Sequence, residues 1–232
     1  FAARRVAIML LPDGARFWAP AVLVLATINV VYGALIALIQ SDFKYVIGFS
    51  SVSHMGLVLI GFACLNQDSL LGAGMQMFSH GIMTALFFSV VGMVYDRTHT
   101  RELSQLGGLV QKMPWAAVGF IIAGLVSMGM PGFSGFVAEF PIFMGAWRTA
   151  PLVAIIAILG VLVTAGYILL VVRRVFFGEL PKQFQNIPDI TWMDKLAIGL
   201  LAAFMIGLGW FPSLMTSVLQ PGVQNILGLL GG

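Results

Sequence analysis

Four ionisable side chains stand in or at the edge of apolar stretches of this chain. Lys44 lies near one end of a stretch, and His54, His80 and Glu139 lie well within theirs. A charged group at the centre of a bilayer costs about 2.5–3.5 kcal/mol even on the gentler insertion scales. Groups kept there, at separate points along the chain, are suited to holding and passing protons. Histidine titrates near neutral pH and can carry a proton on either ring nitrogen, which fits a relay. Glu139 would change protonation state if a neighbouring cation moved or changed charge.

Polar residues accompany these groups at helical spacing. Ser50 and Ser51 stand four and three residues before His54, so their hydroxyls can share its face. Gln76, His80 and Thr84 follow one another at i,i+4 and draw one polar stripe. Thr164 and Tyr167 draw a smaller one. A buried polar atom without a partner costs a few kcal/mol, so the stripes should face one another or line water. For one Ser or Thr, a hydrogen bond between helices is explanation enough. The two histidines and the glutamate together point further, to a relay. Lys44 has two open readings: a side chain that snorkels to the headgroups, or a group at the point of proton uptake. A metal site made of His54, His80 and Glu139 has suitable residue types but no ligand spacing that signals one. There is no Gly-rich phosphate loop and no Ser-His-Asp or Cys-His arrangement. The single Cys64 rules out an internal disulfide framework and reads as apolar packing.

The elements that must position these groups are membrane spans. The chain is 59% hydrophobic and 9% charged, with a mean hydropathy of +0.99. A soluble domain carries roughly 25% charged residues, so this is an integral membrane protein. The net charge of +3 would suggest nucleic acid in a soluble chain. Here the positive residues sit in loops, topology explains them, and no nucleic-acid partner is expected. A spanning helix needs about 20 apolar residues. Charged residues then delimit six segments, at about 18–40, 45–66, 70–95, 114–147, 150–172 and 194–217. Together they form a single transmembrane domain, all-α.

The fourth segment is too long for one plain span. It contains Ser127-Met128-Gly129-Met130-Pro131-Gly132-Phe133-Ser134-Gly135, in which Gly129, Pro131, Gly132 and Gly135 should break the helix. At membrane depth a break survives only where protein or a water cavity surrounds it, and broken helices mark ion sites in transporters. Glu139 follows the break by about one turn.

Lys44, Arg97, Arg101, Lys112, Arg173, Arg174, Lys182 and Lys195 fall on one side of these spans. Arg148, with Arg4, Arg5 and Arg16, falls on the other. The first side is expected to be cytoplasmic, with the C-terminus on the opposite face. The connection at 175–193 mixes Phe176, Phe177, Leu180 and Phe184 with basic residues. It reads as a cytoplasmic loop or a short interfacial segment. Phe1 to Leu11 reads like the tail of an earlier helix, so the chain is expected to begin partway through a longer protein.

Four stretches carry a resemblance. They are Gln40-Ser-Asp-Phe-Lys-Tyr-Val-Ile-Gly-Phe-Ser-Ser-Val-Ser-His-Met-Gly56, Gln76-Met-Phe-Ser-His-Gly81, Tyr95-Asp-Arg-Thr-His-Thr-Arg101 with Gly107-Gly108-Leu109, and Gly129-Met-Pro-Gly-Phe-Ser-Gly-Phe-Val-Ala-Glu-Phe140. In order and spacing they resemble the antiporter-like subunits of respiratory complex I. Within these the resemblance is to the M type, the group of the mitochondrial subunit 4 and the chloroplast D subunit. It spans nearly the whole chain.

That resemblance implies half of a fourteen-helix fold, here the second inverted repeat and the last helix. His54 and His80 would be the histidines of the tenth and eleventh helices on a central hydrophilic axis. Glu139 would be the acidic residue of the broken twelfth helix, where the L and N types carry Lys. The implied function is proton translocation along the axis, driven by quinone reduction in partner subunits. The chain itself would hold no cofactor, and NADH, FMN, iron–sulfur clusters and quinone would belong to partners. Neighbours would be L- and N-type subunits in the bilayer of an energy-coupling membrane, such as a bacterial plasma membrane. This chain departs from the family in having Lys44-Tyr45 where Lys-Arg is common. The axis lysines and glutamate of the first repeat are not in this sequence.

Three other readings share these features. One is a subunit of a membrane-bound hydrogenase or formate hydrogenlyase, separable by its companion subunits. Another is a multisubunit cation/proton antiporter, marked by transport without a redox substrate. The last is a scaffold in which the polar axis only packs helices, so that losing His80 or Glu139 would harm assembly and activity alike.

Overall fold

The computed structural model describes residues 10–230. Arg4, Arg5 and most of the Phe1 to Leu11 segment lie outside that range. The described residues form eight α-helices and no strand, apart from one isolated bridge between Asp42 and Glu102. They are α1 (Pro12–Ile39), α2 (Phe43–Ala63), α3 (Gln67–Thr98), α4 (Pro114–Ser127), α5 (Ser134–Thr149), α6 (Pro151–Phe176), α7 (Trp192–Trp210) and α8 (Ser213–Leu229). Helices α1, α2, α3, α6 and α7 are long and apolar enough to cross a membrane, and α4 is a shorter apolar helix.

Local chemistry sets the helix ends. Pro12, Pro114 and Pro151 open α1, α4 and α6, where the missing N–H costs nothing. The Asp42 carboxylate caps α2 by accepting from the N–H groups of Lys44 and Tyr45. Asn66 caps α3, and Thr191 with Asp194 forms a capping box on α7. These caps stand at two ends of the bundle, which we call the Lys44 end and the Asn66 end. Helix α1 runs to the Lys44 end and α2 runs back. Helix α3 returns, and α4 followed by α5 crosses in two pieces. Helices α6 and α7 complete the alternation. At 32 residues α3 is about 48 Å long, more than the roughly 30 Å of hydrocarbon, so it projects beyond it.

Packing puts α2 at the centre. Small residues let α1 close on it: a Cβ added to Gly56 would lie 2.9 Å from the Ala26 carbonyl oxygen. At the Lys44 end the connections fold over the bundle. Leu103, Leu109, Met113, Phe184 and Ile190 are all buried there in the main apolar cluster. Ion pairs brace this cover: Arg101 with Asp42 at 3.4 Å, Arg97 with Asp194 at 3.1 Å and Lys195 with Asp189 at 2.8 Å.

The observed elements differ from expectation in three places. The last span ends at Trp210, not near 217, because Pro212 cannot donate the next helical hydrogen bond. The chain turns there into the separate helix α8, which packs by Val223 and Ile226 onto the start of α3 and the end of α2. Helix α1 begins at Pro12, earlier than 18. The 175–193 connection starts inside α6, and its Phe184 is spent on the protein core rather than on a membrane surface.

Candidate functional site

The site assembles at the break between α4 and α5. Helix α4 ends in a Schellman arrangement, with the Met130 N–H donating to the Leu125 carbonyl and Gly129 left-handed at φ +63°. The Leu125 and Val126 carbonyls near the end of α4 are thereby satisfied, the second by the Gly129 N–H. Gly129 has a second reason: a Cβ there would meet Glu139 Oε2 at 2.8 Å. Gly135 serves closeness rather than turning, since an added Cβ would lie 2.0 Å from the Val126 carbonyl oxygen. Pro131 and Gly132 complete the turn, and α5 restarts at Ser134 with Glu139 in its second turn.

Glu139 is 2% exposed and meets two partners from other helices. Gln76 of α3 donates from Nε2 to its Oε1 at 2.9 Å. His54 of α2 brings Nδ1 to 3.3 Å from the same oxygen. The opposite nitrogen, His54 Nε2, shares a hydrogen bond of 2.9 Å with the Ser127 hydroxyl at the end of α4. His54 is thus clamped between the two halves of the broken helix. With Nδ1–H turned to the carboxylate, Nε2 accepts from Ser127 when the ring is neutral and donates to it when the ring is charged. His80 stands next along α3, its ring centroid 5.7 Å from that of His54. Its Nε2 and the Oε1 of Gln76 are buried without a hydrogen-bond partner.

A second polar group lies beside the first. Tyr167 donates to the Ser50 hydroxyl at 2.7 Å and contacts Thr164 Oγ1 at 3.4 Å, linking α6 to α2. Thr164 also bonds back to the Gly160 carbonyl at 3.2 Å.

The structure therefore joins His54, Gln76 and Glu139, sets His80 beside them, and groups Ser50 with Thr164 and Tyr167. Other expected members are elsewhere. Lys44 is exposed in the first turn of α2, ten residues or about 15 Å along the helix from His54. Thr84 spends its hydroxyl on the His80 carbonyl of its own helix at 2.8 Å, so it ends the stripe rather than extending it. Ser51 is half-buried, and it is Ser127 rather than Ser50 or Ser51 that bonds His54.

Ser127 is the residue that sequence reasoning missed. Its signal was a hydroxyl closing an apolar run at the helix break. The Ser79–Ser134 contact of 2.8 Å and the bonds from Asn66 Nδ2 to Gly145 O and Thr149 Oγ1 were missed as well. No sequence spacing relates those partners. Among the described residues, no group of three or more His, Cys, Asp and Glu could hold a metal ion.

Fold and site define a class: a multi-pass helical membrane protein with an ionisable axis buried at the break of a discontinuous helix. Residues 2–165 match the family described as NADH:quinone oxidoreductase/Mrp antiporter, TM, and the chain belongs to that family. NADH-quinone oxidoreductase subunit M of Rhodobacter capsulatus is 40% identical over 224 residues, which is 96% of this chain and 44% of that protein. NAD(P)H-quinone oxidoreductase chain 4 2 of Synechococcus sp. (strain JA-3-3Ab) is 36% identical over 99% of this chain and 45% of its own length. The chain thus spans about half the length of these relatives. Among solved structures, a chain of respiratory complex I from Thermus thermophilus with bound NADH superposes over all of this chain and 49% of its own. The TM-score is 0.92 and the identity 31%. A chain of the Mrp complex from Dietzia sp. DQ12-45-1b gives 0.89 at 20% identity, over 99% of this chain and 52% of its own, a likeness of fold.

Proposed function

We propose that this chain is part of a proton-translocating membrane subunit of a complex-I-type NADH:quinone oxidoreductase, and that His80, His54 and Glu139 relay protons along the buried axis. The carrying observation is the buried contact of His54 with Glu139 across the helix break, with Gln76 orienting the carboxylate. A proton moving from His54 Nδ1 to Glu139 converts an ion pair to a neutral pair, and Ser127 adapts by turning its hydroxyl. At 5.7 Å the two imidazoles repel if both are charged, so a proton arriving on one favours release from the other. No redox cofactor is needed in the relay. NADH, FMN, iron–sulfur clusters and quinone would sit in partner subunits, whose quinone reduction drives the motion electrostatically. The names of the 36–40% identical relatives support this reading over an ion antiporter.

In this reading the L- and N-type subunits are neighbours in the membrane, and the Lys44 end faces the cytoplasm. The C-terminus lies on the other side, and a bacterial plasma membrane is the natural setting. Lys44 is an outlying group near proton uptake. The test is Glu139→Gln in the full-length protein within its native complex. Redox-driven pumping should be lost with assembly intact; normal pumping by an assembled complex would overturn the relay.

A further inference from the structure

Two turns from the polar site stand four buried phenylalanines, three of them on the same helix faces. Phe43 is seven residues before Ser50 on α2, Phe87 seven after His80 on α3, and Phe120 seven before Ser127 on α4. Seven residues are nearly two full turns, so each ring lies on the face of its polar counterpart, about 10 Å nearer the Lys44 end. Phe176, the last residue of α6, completes the set. All four are 0% exposed. Phe120 is the hub, with ring centroids 5.1 Å from Phe43, 4.8 Å from Phe87 and 5.5 Å from Phe176. Leu109, Met113 and Phe184 belong to the same buried cluster. Together they make a buried apolar layer at this end of the bundle.

The hydroxyl group points at that layer. His54 Nε2 meets Ser127 at 2.9 Å and Tyr167 bonds Ser50 at 2.7 Å, and Tyr167 lies close to the Ser127 hydroxyl with no hydrogen bond formed between them. Ser50 lies one turn beyond His54 on α2, toward the Lys44 end. Each of these groups both donates and accepts.

Resting on the relay reading above, we infer that Ser127, Tyr167 and Ser50 form a hydroxyl branch carrying protons between His54 and the Lys44 end, closed by the Phe43–Phe87–Phe120–Phe176 layer. A transfer balances as a chain of hops once Tyr167, which donates to Ser50 in the resting arrangement, turns its O–H to Ser127. A hydrated proton reaching Ser50 when the layer parts adds to its oxygen and leaves a neutral water behind. Ser50 passes its own proton to Tyr167, Tyr167 passes one to Ser127, and Ser127 gives one to His54 Nε2. The hydroxyls end reversed, with no net charge left on any of them. A closed apolar constriction holds back water, and with it the hop into the branch.

The experiment uses the native complex with full-length protein in sealed proteoliposomes, without redox substrate, and reads passive proton influx under a potassium diffusion potential. Phe120→Asn puts a polar group in the seal and should raise influx about tenfold, a barrier lower by about 1.4 kcal/mol. Phe120→Leu keeps the layer apolar and should leave influx at the wild-type level. Adding Tyr167→Phe to Phe120→Asn removes one hydroxyl and keeps the ring, and should return influx to near wild type. An assembled Phe120→Asn complex that stays tight would refute the seal. A leak indifferent to Tyr167→Phe would refute the branch. Tyr167→Phe alone, with no packing to lose, should slow redox-driven pumping several-fold, which decides the matter even where Phe120→Asn fails to assemble. Glu139→Gln separates the two readings. If it stops pumping and Tyr167→Phe does not, only the branch falls; if it leaves pumping intact, the relay itself falls.

Discussion

Helices α2, α3 and α4 each pass through two layers about 10 Å apart and treat them in opposite ways. In one they offer His54, Gln76, His80 and Ser127, joined by Glu139 of α5. In the other they offer Phe43, Phe87 and Phe120, joined by Phe176 of α6. Burial does not separate the layers, since His54 and Glu139 are 2% exposed and the rings 0%. What separates them is whether buried groups find partners. The rings satisfy one another by contact alone and so stabilise the fold. The polar layer is only partly satisfied, with His80 Nε2 and Gln76 Oε1 unpartnered. Buried polar atoms without a protein partner oppose folding, and under the proposed relay they are groups held for chemistry rather than stability.

This contrast is open to measurement by equilibrium unfolding in mild detergent. The largest effect belongs to the aromatic layer: Phe120→Ala should cost about 3–5 kcal/mol, because it empties the hub of a packed cluster. In the polar layer, Ser127→Ala should cost about 1–3 kcal/mol by leaving His54 Nε2 without its partner. His80→Leu should sharpen the comparison most. It removes an unpartnered atom, so stability should stay within about 1 kcal/mol of wild type or exceed it, while redox-driven pumping in the complex falls. A large loss of stability in His80→Leu would return the polar layer to the scaffold reading.

The smallest effect lies outside both layers, at Asp189 in the cover of the Lys44 end. Burial acts to raise its carboxyl. The hydrogen bonds from Lys195 and the Ile190 N–H, with the charges of Lys195 and Arg97, outweigh it and hold the group below the usual carboxylate range. A carboxyl lowered on folding contributes stability above its unfolded value, about 3.9, and loses it as pH falls through the folded value. Asp189→Asn should therefore lower stability slightly at neutral pH and flatten the decline below about pH 4, so that the two unfolding curves converge in acid. An unchanged acid limb would show the pair to be idle.

Much of the fold was legible because its cause is local. Charges bound apolar runs, and the Gly129-Met130-Pro131-Gly132 turn announced the broken helix. Pro212 announced a stop as well, but it sat in an uninterrupted apolar run, so α8 was merged with the last span. Glu139, His54 and His80 stood out because a lone ionisable residue in hydrocarbon is costly enough to need a use. Lys44 stood out for the same reason and yet lies apart, since the first turn of a span is already at the water.

Sequence by itself determined the membrane class, the break and the identity of the ionisable groups, because hydropathy and helix-breaking act over a few neighbouring residues. It also carried the seven-residue spacing between each phenylalanine and its polar counterpart, unread until the helices were side by side. Only the tertiary structure decided that His54 meets Glu139 and Ser127 at once, that Tyr167 turns to Ser50, and that four rings from four helices close one layer. Those contacts join residues 73, 85 and 117 positions apart. Hydrogen bonds and ring contacts depend on ångström distances between helices, and the packing of small residues such as Gly56 and Gly135 sets those distances.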